Sequence, residues 1–211
     1  MIRKAIGTAV GILAASAVAL AQGGGGRPAS PAGSAAAQVG GKYVPGSDGP
    51  VYQNGRWIEV TFGRPIKRGR ELFAGTGEKY GKVVNPDAPL WRAGANVTTQ
   101  LKTEVPLVIN GKTVSPGTYT LFIDMKPNSW TLVVSNWVAQ SRYDPNNKAE
   151  IWGAYGYTPD KDVVRAPMKL ETLPHAFEEL AWEFVDMTDT GGALALIWDK
   201  QIASVPFKVG S

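Results

Sequence analysis

The 211-residue chain has no cysteine and one histidine, His175. Without cysteine no disulfide can form, even in an oxidising compartment, so stability must come from a buried core. Zinc and copper sites normally draw on several His or Cys ligands, and those are absent. A Ser-His-Asp arrangement would have to run through His175, which follows Pro174 in a turn-like setting, and no Ser sits in a Gly-x-Ser-x-Gly elbow. Phosphate-loop and dinucleotide glycine motifs are missing as well, so no cofactor is implied. No window carries a sustained 3.6-residue apolar period, which excludes a helical bundle, and there is no internal repeat.

Charge of one sign is also scarce. The formal net charge is +4, and falls to +2 once Arg3 and Lys4 are set aside. That is too weak for a nucleic-acid binder, which would show a sustained basic stripe. The balance is uneven, however. Residues 56–92 hold eight Lys/Arg against four Asp/Glu, and residues 100–211 hold ten against thirteen. A basic stretch beside an acidic one is either internally complementary or an anion-binding face.

The only long uncharged, mostly apolar run is Ala5 to Ala21, after Arg3 and Lys4. Ala19-Leu20-Ala21 fits the small-x-small rule for signal cleavage, leaving Gln22 as the first mature residue. A spanning helix needs about 20 strongly apolar residues, and this run is shorter and diluted by Gly7, Thr8, Gly11 and Ser16. The expectation is a cleaved signal peptide over 1–21, no stable membrane insertion afterwards, and a periplasmic or secreted protein. Residues 22–50 follow as an expected disordered linker, because Gly, Ala, Pro and Ser fill 21 of the 29 positions.

From Val51 onward the pattern is that of strands. Ile58, Val60 and Phe62 share one side of Trp57–Phe62, and Val105 to Ile109 leads into Asn110-Gly111, a strong hairpin signal. Thr118–Met125, Trp130–Ser135 and the alternating run Val164 to Glu171 continue the series, with Pro167 marking an edge or bulge. Leu180, Trp182 and Phe184 form a stripe before the turn Asp189-Thr190-Gly191-Gly192, and Leu194, Leu196 and Trp198 another after it; Ile202 to Val209 closes the chain. The fold class is all-β: over 51–211, a single antiparallel β-sandwich or flattened barrel. Short helical turns are expected at Arg68–Phe73 and Pro174–Glu178. Trp57, Trp182 and Trp198 are assigned to the core.

Two groups of residues point to a site. The first is a basic, Gly-punctuated block, Gly63 to Phe73 resuming at Leu90 to Thr99, which holds Arg64, Lys67, Arg70, Trp91, Arg92 and Asn96. Arg presents a planar fork suited to carboxylate or phosphate, so these side chains can converge on an anion or a sugar, or can instead pair with Glu171, Glu183 and Asp199. The second is an aromatic concentration, with Trp130, Trp137, Tyr143, Trp152, Tyr155 and Tyr157 inside 28 residues. Trp152, Tyr155 and Tyr157 suit a core, the commoner use, and Trp152 and Tyr155 also suit stacking on sugar rings. Asp124, Glu150, Asp162, Glu171, Glu183 and Asp199 are the carboxylates available for glycoside-type chemistry. Asp144-Pro145-Asn146-Asn147 and Asp186–Gly191 are turns that partly resemble calcium loops. Asn96-Val97-Thr98 is a glycosylation sequon, meaningful only in a eukaryotic secretory host.

The motifs Phe62-Gly63-Arg64-Pro65, Lys67-Arg68-Gly69-Arg70-Glu71-Leu72-Phe73, Tyr80-Gly81-Lys82-Val83, Trp91-Arg92-Ala93-Gly94-Ala95-Asn96, Pro116-Gly117-Thr118-Tyr119-Thr120-Leu121, Trp152-Gly153-Ala154-Tyr155, Asp162-Val163-Val164-Arg165-Ala166-Pro167 and Val205-Pro206-Phe207 stand in order across nearly all of 51–209. Through them the chain resembles the bacterial domain-of-unknown-function family 2911. The resemblance implies an exported single domain with a mainly β fold, and brings no established activity, ligand or catalytic residue. One departure is the segment Val84–Leu90, which separates Tyr80-Gly81-Lys82-Val83 from Trp91-Arg92. The expected function is non-enzymatic binding of an anionic small molecule or glycan; a carboxylate-based hydrolase and a structural envelope protein are the alternatives.

Overall fold

Period-2 alternation sets the architecture. In the computed structural model, which describes residues 29–210, the strands are β1 (Ala32–Val39), β2 (Lys42–Val44), β3 (Val51–Gln53), β4 (Arg56–Gly63), β5 (Gln100–Thr103), β6 (Leu107–Ile109), β7 (Lys112–Val114), β8 (Gly117–Lys126), β9 (Ser129–Ser135), β10 (Asp162–Pro167), β11 (Lys169–Thr188) and β12 (Gly191–Val209). They form a six-stranded sheet of order β1-β4-β5-β8-β9-β10, a four-stranded sheet of order β11-β12-β6-β7 and the small β2-β3 hairpin. All named pairings are antiparallel. The two larger sheets face each other as a β-sandwich. Ile58, Val60, Leu121, Leu132 and Val164 from the first meet Ile109, Trp182, Leu194, Leu196 and Phe207 from the second in one continuous core.

Local chemistry explains the turns. Asn110 and Gly111 both adopt positive φ, 49° and 73°, as a two-residue hairpin turn between β6 and β7 requires. Pro167 ends β10, the edge strand of its sheet, where a missing N–H is tolerated. In β12 the inward positions change from Leu194, Leu196 and Trp198 to Ala203, Val205 and Phe207. Asp199, at φ 53°, lies between the two sets beside a register shift, and the extra residue of such a bulge reverses the phase.

Four expectations are corrected. The linker expected over 22–50 is ordered from Ala32: β1 pairs with β4 along its whole length, and Val39 is buried. Its small residues suit that place, since the Arg64 side chain runs across Gly33. The signal-peptide reading of 1–21 and the linker residues 22–28 lie outside the described residues. Trp57 is 49% exposed, because Ile58, Val60 and Phe62 take the inward phase of β4 and leave it the outward one. Pro174–Glu178 is extended within β11 rather than helical. Arg68–Phe73 forms two separate turns, while short 3-10 turns stand at Gly77–Lys79 and Pro159–Lys161.

Two long connections complete the molecule. Residues 64–99, between β4 and β5, insert Leu72 and Phe73 at the core. The Phe73 ring stands edge-on to Trp130 at 4.8 Å, and to Trp91 and Trp198 at 6.3 and 6.2 Å. Each edge-to-face pair adds about 0.5–1.5 kcal/mol beyond area burial. Residues 136–161, between β9 and β10, fold over the outer face of the large sheet. There Phe122 and Val133 pack with Ile151 and Ala154 in a second apolar cluster, which also receives Ala88 and Leu90. The intervening segment Val84–Leu90 is thus anchored by packing, and the Asn85 side chain donates to the Ala88 carbonyl at 2.8 Å.

Candidate functional site

The two connections meet, and the candidate site is built where they do. The Thr98 hydroxyl, buried, donates to the Gly153 carbonyl at 2.9 Å. The Arg92 guanidinium lies 6.0 Å from the Trp152 ring centre, within cation–π range. Gly153 holds a left-handed φ of 63°, and a Cβ there would stand 2.8 Å from the Arg92 guanidinium. Glycine therefore both allows the turn and leaves the space Arg92 occupies.

The basic block divides at Gly69. Residues 65–68 run beside β11: Lys67 N donates to Glu178 O at 2.7 Å, Leu180 N to Pro65 O at 3.0 Å, and Ile66 bridges Glu179. Along 64–68, Arg64 and Lys67 find acidic partners, while the Arg68 side chain has none within ion-pair distance among the described residues. Arg64 pairs with Glu179 at 3.0 Å, and Lys67 with Asp199 at 2.6 Å. The hydrogen bond that Lys67 donates to Asp199 raises the Lys67 pKa above its ordinary value. Neither partner of Arg64 and Lys67 is Glu171 or Glu183; Glu171 pairs instead with Lys169 at 3.0 Å.

Beyond Gly69 no acidic partner is at hand. The Arg70 guanidinium donates to Lys67 O at 3.0 Å and Ile66 O at 2.7 Å, and sits 5.9 Å from the Trp198 ring centre. Arg92 donates to Asn96 O at 2.7 Å. Among the described residues, no carboxylate lies within ion-pair distance of either. Burial without a counter-charge pushes the Arg92 guanidinium below its ordinary pKa. Both arginines line one hollow of 690 Å³, with Arg68, Asn96 and Trp152 on its walls and Trp91 and Trp198 at its base.

The turn that presents Arg92 is held in an unusual backbone state. Ala93 is fully buried at φ 56°, a left-handed conformation that costs a non-glycine residue about 1–2 kcal/mol. Its carbonyl accepts from Trp182 Nε1 at 2.9 Å and from Thr99 Oγ1 at 3.0 Å. Asn96 is also left-handed, at φ 59°, and its side-chain amide donates to Ser30 O at 2.9 Å. Asn96 therefore anchors the turn, and its backbone carbonyl steers Arg92. Trp91 is 2% exposed and stacks on Trp198 at 6.1 Å, so it supplies a floor rather than a face.

Trp152 and Tyr155 belong to the second connection. Trp152 is half-buried and Tyr155 is 49% exposed. They border a second hollow of 530 Å³ with Trp137, Gln140 and Tyr143. Gln140 is the residue that sequence reasoning missed. Buried, it accepts from Asp144 N at 2.9 Å, and its amide donates toward the carbonyls of Asp144, Asn147 and Glu150 at 3.2, 2.9 and 3.2 Å. The concentration of aromatics was the readable signal for this hollow; a lone Gln has none.

The candidate carboxylates are mostly engaged. Asp124 and Asp162 both pair with Arg165, at 2.7 and 3.1 Å, and Asp162 accepts from the Tyr157 hydroxyl at 2.5 Å. Burial first, then that hydrogen bond, pushes the Tyr157 hydroxyl above its ordinary pKa. Glu150 accepts from Asn147 at 2.9 Å. Asp144 caps its own turn by accepting from Asn146 N at 2.9 Å. No group of three or more His, Cys, Asp or Glu among the described residues could hold a metal ion.

The molecule is thus defined as an antiparallel β-sandwich whose two longest connections form adjoining cationic and aromatic hollows. The chain belongs to the family described as protein of unknown function (DUF2911), whose model matches residues 50–207. β1 and the cleft-lining Ala29 and Ser30 precede that match. No curated protein and no solved structure matches the chain significantly.

Proposed function

We propose that the protein is an exported, non-enzymatic binding module that takes an anionic or saccharide ligand in the Arg70–Arg92 cleft. One observation carries the reading. Three guanidinium groups, of Arg68, Arg70 and Arg92, line the same hollow; those of Arg70 and Arg92 are held by backbone carbonyls, and none of the three is matched by a carboxylate among the described residues. Arg92 is partly buried; a guanidinium drawn from water without a counter-charge is costly, and a carboxylate or phosphate can pair with its fork. Export rests on the N-terminal pattern of the sequence.

The test is calorimetric titration and thermal melting with glucuronate and inorganic phosphate. A ligand present at 100 times its dissociation constant stabilises by about 2.7 kcal/mol. For a domain of this size that raises Tm by roughly 5–10 °C. Arg92→Ala should abolish the gain, and Arg92→Lys should restore only part of it, because the planar fork is lost. Equal stabilisation of wild type and Arg92→Ala, or none with either anion, refutes the reading.

A further inference from the structure

We infer that the cationic cleft and the aromatic hollow are one continuous groove for an acidic oligosaccharide, with a uronate on Arg92 and the neighbouring sugar ring against Trp152 and Tyr143. The inference rests on the anion-binding reading above and adds to it the ligand's class and direction.

Trp152 is the shared wall. It borders both hollows, and its ring faces Arg92 on one side while Tyr143 meets it at 5.8 Å on the aromatic side. The hollows of 690 and 530 Å³ are each of small-ligand size, about 300–1,000 Å³. A ligand filling both must therefore be longer than a single ring.

The exposed aromatics are a prepared surface. Tyr143 and Tyr155 are 59% and 49% exposed, on a segment whose path Gln140 fixes through bonds to three carbonyls and one amide. Long irregular connections held this firmly are usually functional. Fixed aromatic faces suit the apolar faces of sugar rings, and Asn147, Lys148 and Glu150 on the rim offer polar groups for hydroxyls.

Charge gives the groove a direction and separates a glycan from a polynucleotide. The arginine end has no acidic partner, whereas the aromatic end carries Asp144 and Glu150 against Lys148. A polynucleotide brings a phosphate with every base and would set one against those carboxylates. A saccharide that alternates uronate and neutral residues places its charge at Arg92 and a neutral ring at Trp152.

The experiment measures dissociation constants by calorimetry for free glucuronate, a hyaluronan hexasaccharide (alternating uronate and neutral sugar), maltohexaose and hexathymidylate. Wild type should bind the acidic hexasaccharide at least tenfold tighter than glucuronate. Tyr143→Ala, an exposed position that leaves the fold intact, should remove most of that tenfold gain and leave the glucuronate affinity unchanged. Arg92→Ala should weaken both acidic ligands. If glucuronate and the hexasaccharide bind equally and Tyr143→Ala changes neither, the groove is refuted while the anion site stands. If no acidic ligand binds, the groove is refuted, and the anion reading falls with it when inorganic phosphate also fails to bind. Maltohexaose binding as tightly as the acidic hexasaccharide, or hexathymidylate binding more tightly, overturns the assignment of ligand class.

Discussion

Gly63→Ala should be among the most damaging single-methyl additions available to this protein. Gly63 ends β4 with an ordinary backbone conformation, so no strain in φ is involved. The obstacle is the turn that carries Arg92. A Cβ at Gly63 would lie 2.7 Å from the Ala95 carbonyl carbon, and closer still to its oxygen. Carbon atoms prefer about 3.5–4.0 Å, so one backbone must withdraw by about 1 Å. Neither yields easily. Ala95 N donates to Gly63 O at 3.3 Å, Ala93 is pinned by Trp182 and Thr99, and Asn96 is tied to Ser30. Overpacking costs about 1–3 kcal/mol, and a weakened hydrogen bond adds about 1. The expected loss of about 2–4 kcal/mol corresponds to a fall in Tm of roughly 5–15 °C. Urea unfolding followed by tryptophan fluorescence measures it. Glucuronate affinity should fall too, because Arg92 moves with its turn. Gly33→Ala is the control. Its Cβ would meet the Arg64 side chain, 2.6 Å from Cγ, and the Phe62 ring at 3.1 Å. The first can swing aside at the expense of one partly exposed ion pair worth about 0–1 kcal/mol, and the second needs to give by only a few tenths of an ångström. If Gly63→Ala melts within 2 °C of wild type and binds glucuronate as well, the close approach of β4 to the 93–96 turn is not what fixes Arg92.

Gln140→Leu should destabilise residues 136–161 ahead of the rest of the protein, raising hydrogen exchange and proteolysis there. Three carbonyls and one amide lose their partner there, each at about 1–3 kcal/mol if left unsatisfied; unchanged protection in this segment would refute it. Alkaline titration should destabilise the protein from about pH 10 upward. Tyr157 and Tyr119 have folded pKa values above the unfolded one, so their stabilisation is full below the unfolded value and is lost as pH rises through the folded one. Tyr157→Phe should flatten that alkaline decline, read from urea midpoints between pH 8 and 11, and an identical slope in the variant would count against the assignment.

How much of this was legible in the sequence depends on where each partner lies. β4, β8, β9 and the β11–β12 hairpin announce themselves because each strand's alternation is local information. β1 does not. Its Ala, Gly and Ser residues look like a linker in isolation, and only pairing with β4, together with the space Arg64 needs beside Gly33, makes them a strand. Trp57 illustrates a different failure. Residue type suggested core, while the strand's own phase, set by Ile58 and Val60, already pointed it outward. In the site, Arg92 and Trp152 were nameable as candidates, but not as neighbours, since a β9–β10 connection meeting a β4–β5 connection is a fact of topology. The fate of Arg64 and Lys67 was equally hidden, because Glu179 and Asp199 lie more than 100 positions away in sequence.

The division of the basic block also explains why the charge asymmetry of the sequence does not simply cancel. The acidic residues that answer it are carried by β11 and β12, and only the run 64–68 lies alongside them. Arg64 and Lys67 are neutralised there, and in return they tie the β4–β5 connection to the second sheet. Past Gly69 the chain leaves β11; Arg70 stays exposed and Arg92 is partly buried, each donating to backbone carbonyls and set near a tryptophan ring, and Arg92 is the one drawn from water. A core would not retain such a group, because desolvating a cation without a counter-charge opposes folding. The burial that lowers the Arg92 pKa is therefore a cost that the unliganded protein carries. An anion in the cleft would relieve it, so binding and thermal stability should rise together. Any anion that binds the folded protein in preference to the unfolded chain raises Tm, so what assigns the effect to this cleft is its loss in Arg92→Ala.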